Sequence, residues 1–218
     1  MANQAEDPKY RTLILDLGDV LFTWSPETRT SISPRLLKGI MNTSTWFDYE
    51  RGRLSQTECF ERLGREFSVE PSAIDEAFKQ ARESLRPNEE LLALVRELKA
   101  QFQGKLRVFA LSNISLPDYE YVIALPTDWS IFDKVFASAV LGERKPDREA
   151  YEKVIRETGI DPSTTVFVDD RIENVEAARA LGIHGIVFDK QEGVFEALRR
   201  TFGDRVQKIE EEQVERRL

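Results

Sequence analysis

Three apolar runs, far apart along the chain, each end in polar residues. Leu13-Ile14-Leu15 precedes Asp16, Val108-Phe109-Ala110-Leu111 precedes Ser112-Asn113, and Val166-Phe167-Val168 precedes Asp169-Asp170. Short unbroken apolar runs of this kind read as strands buried on both faces. Residues 20–23 give a further β-forming run after a Gly-containing turn, Phe132–Ser138 a short strand, and Gly185–Phe188 another. Between them the period changes. Leu91, Leu92, Leu94, Val95 and Leu98 fall on one helical face, as do Phe60, Leu63 and Phe67. Arg148–Thr158 reads as a helix closed by Gly159, and Glu173–Leu181 as one closed by Gly182. Pro71-Ser72-Ala73-Ile74-Asp75-Glu76 predicts a helix start with Ser72 as its N-cap. Arg86-Pro87-Asn88-Glu89 marks a second break before another helix.

Strands alternating with helices predict an α/β fold: a Rossmann-like parallel sheet core with helices on both faces. The all-helical stretch after the first strand interrupts that alternation and reads as an inserted α-helical cap. The expected division is residues 1–23 and 91–204 for the core, 24–90 for the cap, and 205–218 for a charged tail or linker. The tail, with Lys208-Ile209-Glu210-Glu211-Glu212, reads as a solvated helix or as a lead toward a further domain.

Composition narrows the function. With 41% hydrophobic residues among 218, a packed core is within reach and wholesale disorder is not expected. A net charge of −8 argues against a duplex nucleic-acid binder, which needs a basic face. The lone Cys59 rules out an internal disulfide and a thiolate zinc site. The lone His184, between Gly182 and Gly185, reads as a surface turn residue rather than a ligand. No apolar stretch has the length of a membrane span, and the N-terminus lacks the basic and apolar regions of a signal peptide. A soluble, cytoplasmic protein is expected.

The polar groups at the ends of the three runs change the picture most. In open α/β sheets, ligands bind beyond the carboxyl ends of the strands. Asp16, Ser112, Asp169 and Asp170 should therefore meet there, joined by the segment Gly142-Glu143-Arg144-Lys145-Pro146. Each has a plain alternative: Asp16 as a turn cap, Ser112-Asn113 as a helix start, Asp169-Asp170 as a cap for the helix at Glu173. Together they supply carboxylates for a hard cation, a hydroxyl and an ammonium, the parts of a phosphoryl-transfer site.

In this arrangement the chain resembles the haloacid dehalogenase-like (HAD) hydrolase superfamily over residues 11–198. Asp16-Leu17-Gly18-Asp19-Val20-Leu21 is similar to that family's first motif, Ser112 to its second and Lys145-Pro146 to its third. Val168-Asp169-Asp170-Arg171-Ile172-Glu173-Asn174 is similar to its fourth. The helical insert resembles the cap of the subclass that includes sugar-phosphate phosphatases and the phosphatase domain of epoxide hydrolases. The resemblance implies a Mg²⁺-dependent phosphatase acting on a small-molecule phosphate ester or diphosphate. Asp16 would be the nucleophile, with Ser112 and Lys145 as catalytic donors to the phosphoryl oxygens. Asp16, the Gly18 carbonyl, Asp169 and Asp170 would hold the metal, and Asn174 would orient its surroundings. Asn113, Trp46 and Arg51 join Ser112 and Lys145 as expected substrate contacts.

One departure stands out. The family's acid/base aspartate, two residues after the nucleophile, is Gly18 here, and an adjacent side chain such as Asp19 ordinarily points elsewhere. A leaving group that needs little protonation, or a phosphate-binding scaffold without turnover, would fit that loss. Dehalogenation is disfavoured, because the Asp169-Asp170 pair would then lack a cation. Trp24, Trp46, Phe47, Tyr49 and Arg51 are the candidate selectors of substrate in the cap. Their aromatics read either as cap core or as a lid over a prenyl chain, the latter resembling HAD domains of terpenoid biosynthesis. The expected partner is a small-molecule phosphate, with no nucleic acid and no membrane span. The tail leaves room for a homodimer or for a fused or partner domain.

Overall fold

The computed structural model describes residues 9–189 and 193–202. The expected tail, 205–218, lies outside the described residues.

Five parallel strands form the sheet, in the order β5-β4-β1-β6-β7. They are β1 (Thr12–Leu15), β4 (Arg107–Ser112), β5 (Lys134–Ala137), β6 (Thr165–Asp169) and β7 (His184–Val187). Side chains alternate across a strand, so one face carries Leu13, Leu15, Val108, Ala110, Val166 and Val168. Helix α5 (Glu89–Gln101) and the helix at 193–202 cover that face with Leu91, Val95, Leu98 and Leu198. The other face presents Ile14, Phe109, Leu111 and Phe167 to helices α8 (Arg148–Thr158) and α9 (Ile172–Arg179). Burial on both faces is why these strands read as unbroken apolar runs.

Register sets the site. Leu15 pairs with Ala110 on one side and with Val168 on the other. One residue further out are Asp16 and Asp169, with Leu111 on β4, the strand between β1 and β5, and Ser112 follows one step beyond, so all three polar residues share the carboxyl edge of three adjacent strands.

After β1 the chain turns back on itself. Leu21 and Phe22 both donate main-chain N–H groups to the Leu17 carbonyl, and Asp19 adopts the left-handed region at φ 56. The short strands β2 (Phe22–Thr23) and β3 (Arg86–Pro87) then pair antiparallel. The Asn88 N–H is bonded to the Leu21 carbonyl at 2.8 Å, so the outgoing and returning chain are tied together. Between them lie α1 (Pro34–Ile40), α2 (Ser44–Glu50), α3 (Gln56–Phe67) and α4 (Pro71–Glu83). Ser33, Thr43 and Ser55 each cap a helix through the side-chain oxygen, and Ser55 completes a capping box with Glu58. These four helices bury their own apolar cluster, including Leu37, Trp46, Phe60, Leu63, Ile74 and Phe78. Gly52, at φ +69, lies so close to the sheet unit that a Cβ would meet the Ala139 carbonyl oxygen at 2.5 Å.

Two local expectations change. The N-cap of α4 is Glu70, not Ser72, because Pro71 occupies the first helical turn, where its missing N–H loses nothing. Helix α5, capped by the Asn88 side chain, runs unbroken across residue 90, so its first turn belongs with the sheet-packing helix.

Candidate active site

Asp16 follows β1 and is 8% exposed. Its Oδ1 accepts from the Leu17 N–H at 2.7 Å and lies 2.9 Å from Lys145 Nζ. The same ammonium donates to Asp169 Oδ2 at 2.6 Å. Asp169, fully buried at the end of β6, accepts on its other oxygen from the Arg171 N–H (2.9 Å) and from Asn174 Nδ2 (2.8 Å). Both Asp169 oxygens are thus engaged, which fixes the carboxylate as a support for Lys145. Asn174 is itself held, its carbonyl accepting from the Tyr151 hydroxyl at 2.8 Å.

Carboxylate oxygens of Asp16, Asp169 and Asp170 lie within 4.8 Å of one another. Burial, the dominant cause, pushes the Asp16 carboxyl up to about 8, with Lys145 pulling down and Asp169 and Asp170 pushing up. Burial also raises Asp170 to about 6, aided by Asp169 and Asp19. Burial alone would lower the Lys145 ammonium, but Asp16 and Asp169 outweigh it and its pKa is raised. Without a cation the crowded carboxyls therefore resist full ionisation, and every donor among them is a hard oxygen. That donor set fits Mg²⁺ or a similar cation.

A cavity of ≈ 240 Å³ opens over this cluster. Asp16, Gly18, Asp19, Ser112 and Asn113 line its floor, and Lys38, Arg144 and Arg171 bring positive charge to its walls. Gly18 borders open space, since a Cβ built there meets nothing within 4 Å. Asp19 lines the same cavity and accepts from the Trp24 indole N–H at 3.0 Å. Asp19 itself sits in the left-handed region, at φ 56.

The structure brings Asp16, Gly18, Ser112, Lys145, Asp169 and Asp170 together. The remaining expected contacts sit differently. Asn113 borders the cavity, but its amide is used in a reciprocal clamp, accepting from the Lys145 N–H and donating to the Lys145 carbonyl, both at 2.8 Å. It positions the loop that carries Lys145. Trp46 is 3% exposed and stacks on Phe78 at 4.2 Å within the helical cluster. It lines a second, adjoining cavity and not the one over Asp16. Arg51 borders neither cavity and pairs instead with Asp147, at the start of α8.

Two residues at the site were not singled out by sequence. Arg144 Nε donates to Glu50 Oε2 at 2.9 Å, and its guanidinium lies 3.9 Å from the centre of the Phe47 ring. Glu50 also accepts from the Trp46 indole at 3.0 Å. The spacing of Trp46 and Glu50, four apart on a helix, was a local signal; the partner 94 residues away gave none.

Residues 10–182 match the family of haloacid dehalogenase-like hydrolases. The chain is 39% identical over 177 residues to a sesquiterpene phosphatase, astK, of Aspergillus oryzae, covering 81% of this chain and 89% of that protein. It is also 39% identical over 193 residues to the drimenol cyclase drtB of Aspergillus calidoustus, covering 88% of this chain but only 37% of the cyclase. Among solved structures, a HAD family enzyme from Bacteroides thetaiotaomicron, bound to magnesium and inorganic phosphate, superposes with a TM-score of 0.64 at 25% identity. That match covers 84% of this chain and 96% of the other.

Proposed function

Since the chain belongs to the haloacid dehalogenase-like hydrolase family and is a phosphoric ester hydrolase of that kind, we propose that it cleaves a small-molecule phosphate ester or diphosphate through an aspartyl-phosphate on Asp16. The observation that carries this reading is Lys145, whose ammonium contacts Asp16 and Asp169 at once, deep beneath a cavity walled by cations.

In this reading Asp16, Asp170 and the Gly18 carbonyl hold Mg²⁺, and Asp169 contributes by fixing Lys145. The bound cation supplies charge neutralisation between carboxylate and phosphate. Lys145 keeps the Asp16 Oδ1 oriented and, with the Ser112 hydroxyl, donates to phosphoryl oxygens as charge builds on them. Asn113 and Asn174 hold Lys145 and Asp169 in place. The helical segment within 24–90 serves as a cap that closes the cavity from above.

The substrate we propose is a terpenoid phosphate or diphosphate. The names of the two fungal relatives support it, as does Gly18, because the monophosphate released when Asp16 attacks the terminal phosphorus of a diphosphate leaves more readily without an acid than an alkoxide does. The test is phosphate release from a panel of prenyl and sugar phosphates, with Mg²⁺ and with chelator, beside Asp16→Asn. Release that requires both the metal and Asp16 is expected. Release indifferent to either one rejects the mechanism, and tight phosphate binding without turnover would favour a scaffold.

A further inference from the structure

A second cavity, of ≈ 130 Å³, adjoins the one over Asp16, and the two share Trp24, Met41, Glu50 and Asn113 as walls. The remaining apolar surface of this chamber comes from Trp46, Phe78, Ala81 and Leu85 on the helical side and from Ile114 on the sheet side. Its charged walls are already spoken for. Arg82 pairs with Asp118 at 2.6 Å, and Asp118 also accepts from Ser115 at 2.7 Å. Glu50 is held by Arg144 and Trp46. A ligand entering the chamber therefore meets hydrocarbon and spent polar groups. A polar leaving group would surrender its water there for nothing in return, whereas an apolar one gains from burial.

We propose that this chamber seats the hydrocarbon part of the substrate while its phosphate lies over Asp16, and that Ala81 and Leu85 set how much chain is accepted. This deepens the phosphatase reading above and rests on it. Size supports the assignment: a dry apolar cavity of about 150 Å³ is enough for a benzene-sized ligand. The chamber thus holds roughly one isoprene unit, and the rest of a longer chain runs through the shared opening beside Trp24 and Met41. Ala81 is the pivotal position. It is 6% exposed, it faces the chamber from α4, and its small side chain leaves the space that Phe78 and Trp46 border. Leu85 closes the chamber just before β3, where the helical segment rejoins the sheet unit.

The test compares kcat/KM for dimethylallyl, geranyl and farnesyl diphosphates with kcat/KM for acetyl phosphate, which has no chain to place in the chamber. In the natural protein the ratio to acetyl phosphate should climb from dimethylallyl to geranyl. In Ala81→Phe the geranyl and farnesyl ratios should fall at least tenfold. In Leu85→Ala the farnesyl ratio should rise relative to dimethylallyl. Trp24 and Trp46 provide a readout independent of turnover: titration with geranyl monophosphate should change tryptophan fluorescence, and Ala81→Phe should weaken the apparent Kd at least tenfold. Ratios that ignore chain length, or that both variants leave where they were, overturn the chamber assignment even if acetyl phosphate hydrolysis still depends on Asp16. Hydrolysis of acetyl phosphate that persists in Asp16→Asn would instead reject the phosphatase mechanism beneath it.

Discussion

Glu50 on α2 and Arg144, in the loop before Lys145, form an ion pair with side chains only 9% and 7% exposed. The pair joins the helical segment to the sheet unit beside Lys145. Desolvation makes such a pair expensive to break: removing one partner of a buried ion pair costs ~3–5 kcal/mol, because a charge is left buried alone. Glu50→Ala should therefore lower stability by about that amount, read as a shift in the urea midpoint. Glu50→Ala combined with Arg144→Met removes both charges and should recover much of the loss. A double variant no more stable than the single one would contradict this account.

Lys145 stands between two carboxylates, and its replacement should be felt in catalysis before binding. In Lys145→Met the donor to the developing phosphoryl charge is lost, and removal of one such donor typically costs about 10²–10³ in kcat. Asp16 and Asp170 remain as oxygen ligands, so Mg²⁺ should still bind by calorimetry. A variant that keeps kcat within a few fold, or loses Mg²⁺ binding altogether, would show that Lys145 does something else.

The carboxyl groups of the cluster should make the proposed Mg²⁺ binding pH-dependent. Asp16 and Asp170 are raised to about 8 and about 6, above the ~4 of an unfolded aspartate. The metal-free folded protein therefore holds more protons than the unfolded chain over that interval. The stability these groups contribute is full below about pH 4 and is lost as pH rises toward 8. Mg²⁺ binds the deprotonated form, so its stabilisation should grow over the same interval. The Mg²⁺-induced rise in Tm should be small near about pH 5 and larger near about pH 8. A rise of equal size at both, or one retained in Asp170→Asn, would count against this cluster as the metal site.

The sequence made the sheet legible because its strands are buried on both faces, so that apolar runs mark them and their ends mark the ligand edge. Other signals marked Phe132–Ser138, which encloses the edge strand β5, and Arg148–Thr158, which is α8: the helix buries Ala150, Tyr151 and Val154 and ends at Gly159, left-handed at φ 63. What escaped were pairings over long distance. Nothing local says that Asn113 clamps the backbone of Lys145, that Arg51 turns to Asp147, or that Glu50 meets Arg144. Each of these side chains is polar and lies in a stretch that reads as surface. Its partner is chosen by how the helical segment rests on the sheet unit, a property no single window of residues contains.

Gly18 offers the sharpest single substitution. A Cβ there meets nothing within 4 Å, its backbone is outside the left-handed region, and it borders the cavity over Asp16. Gly18→Asp should therefore fold without strain and place a carboxyl at the cavity where the phosphate is proposed to sit. General acid–base assistance is typically worth about 10²–10⁴ in rate. The gain depends on the leaving group. An alkyl monoester releases a strongly basic alkoxide and benefits most, whereas a diphosphate releases a monophosphate and acetyl phosphate releases acetate, both weaker bases that benefit little. The variant should raise kcat on geranyl monophosphate by ~10² while changing acetyl phosphate hydrolysis far less. Equal gains on both substrates would point to an effect on phosphate binding. A drop on both would mean that the added negative charge, close to Asp16, Asp19 and Asp170, outweighs the proton it delivers.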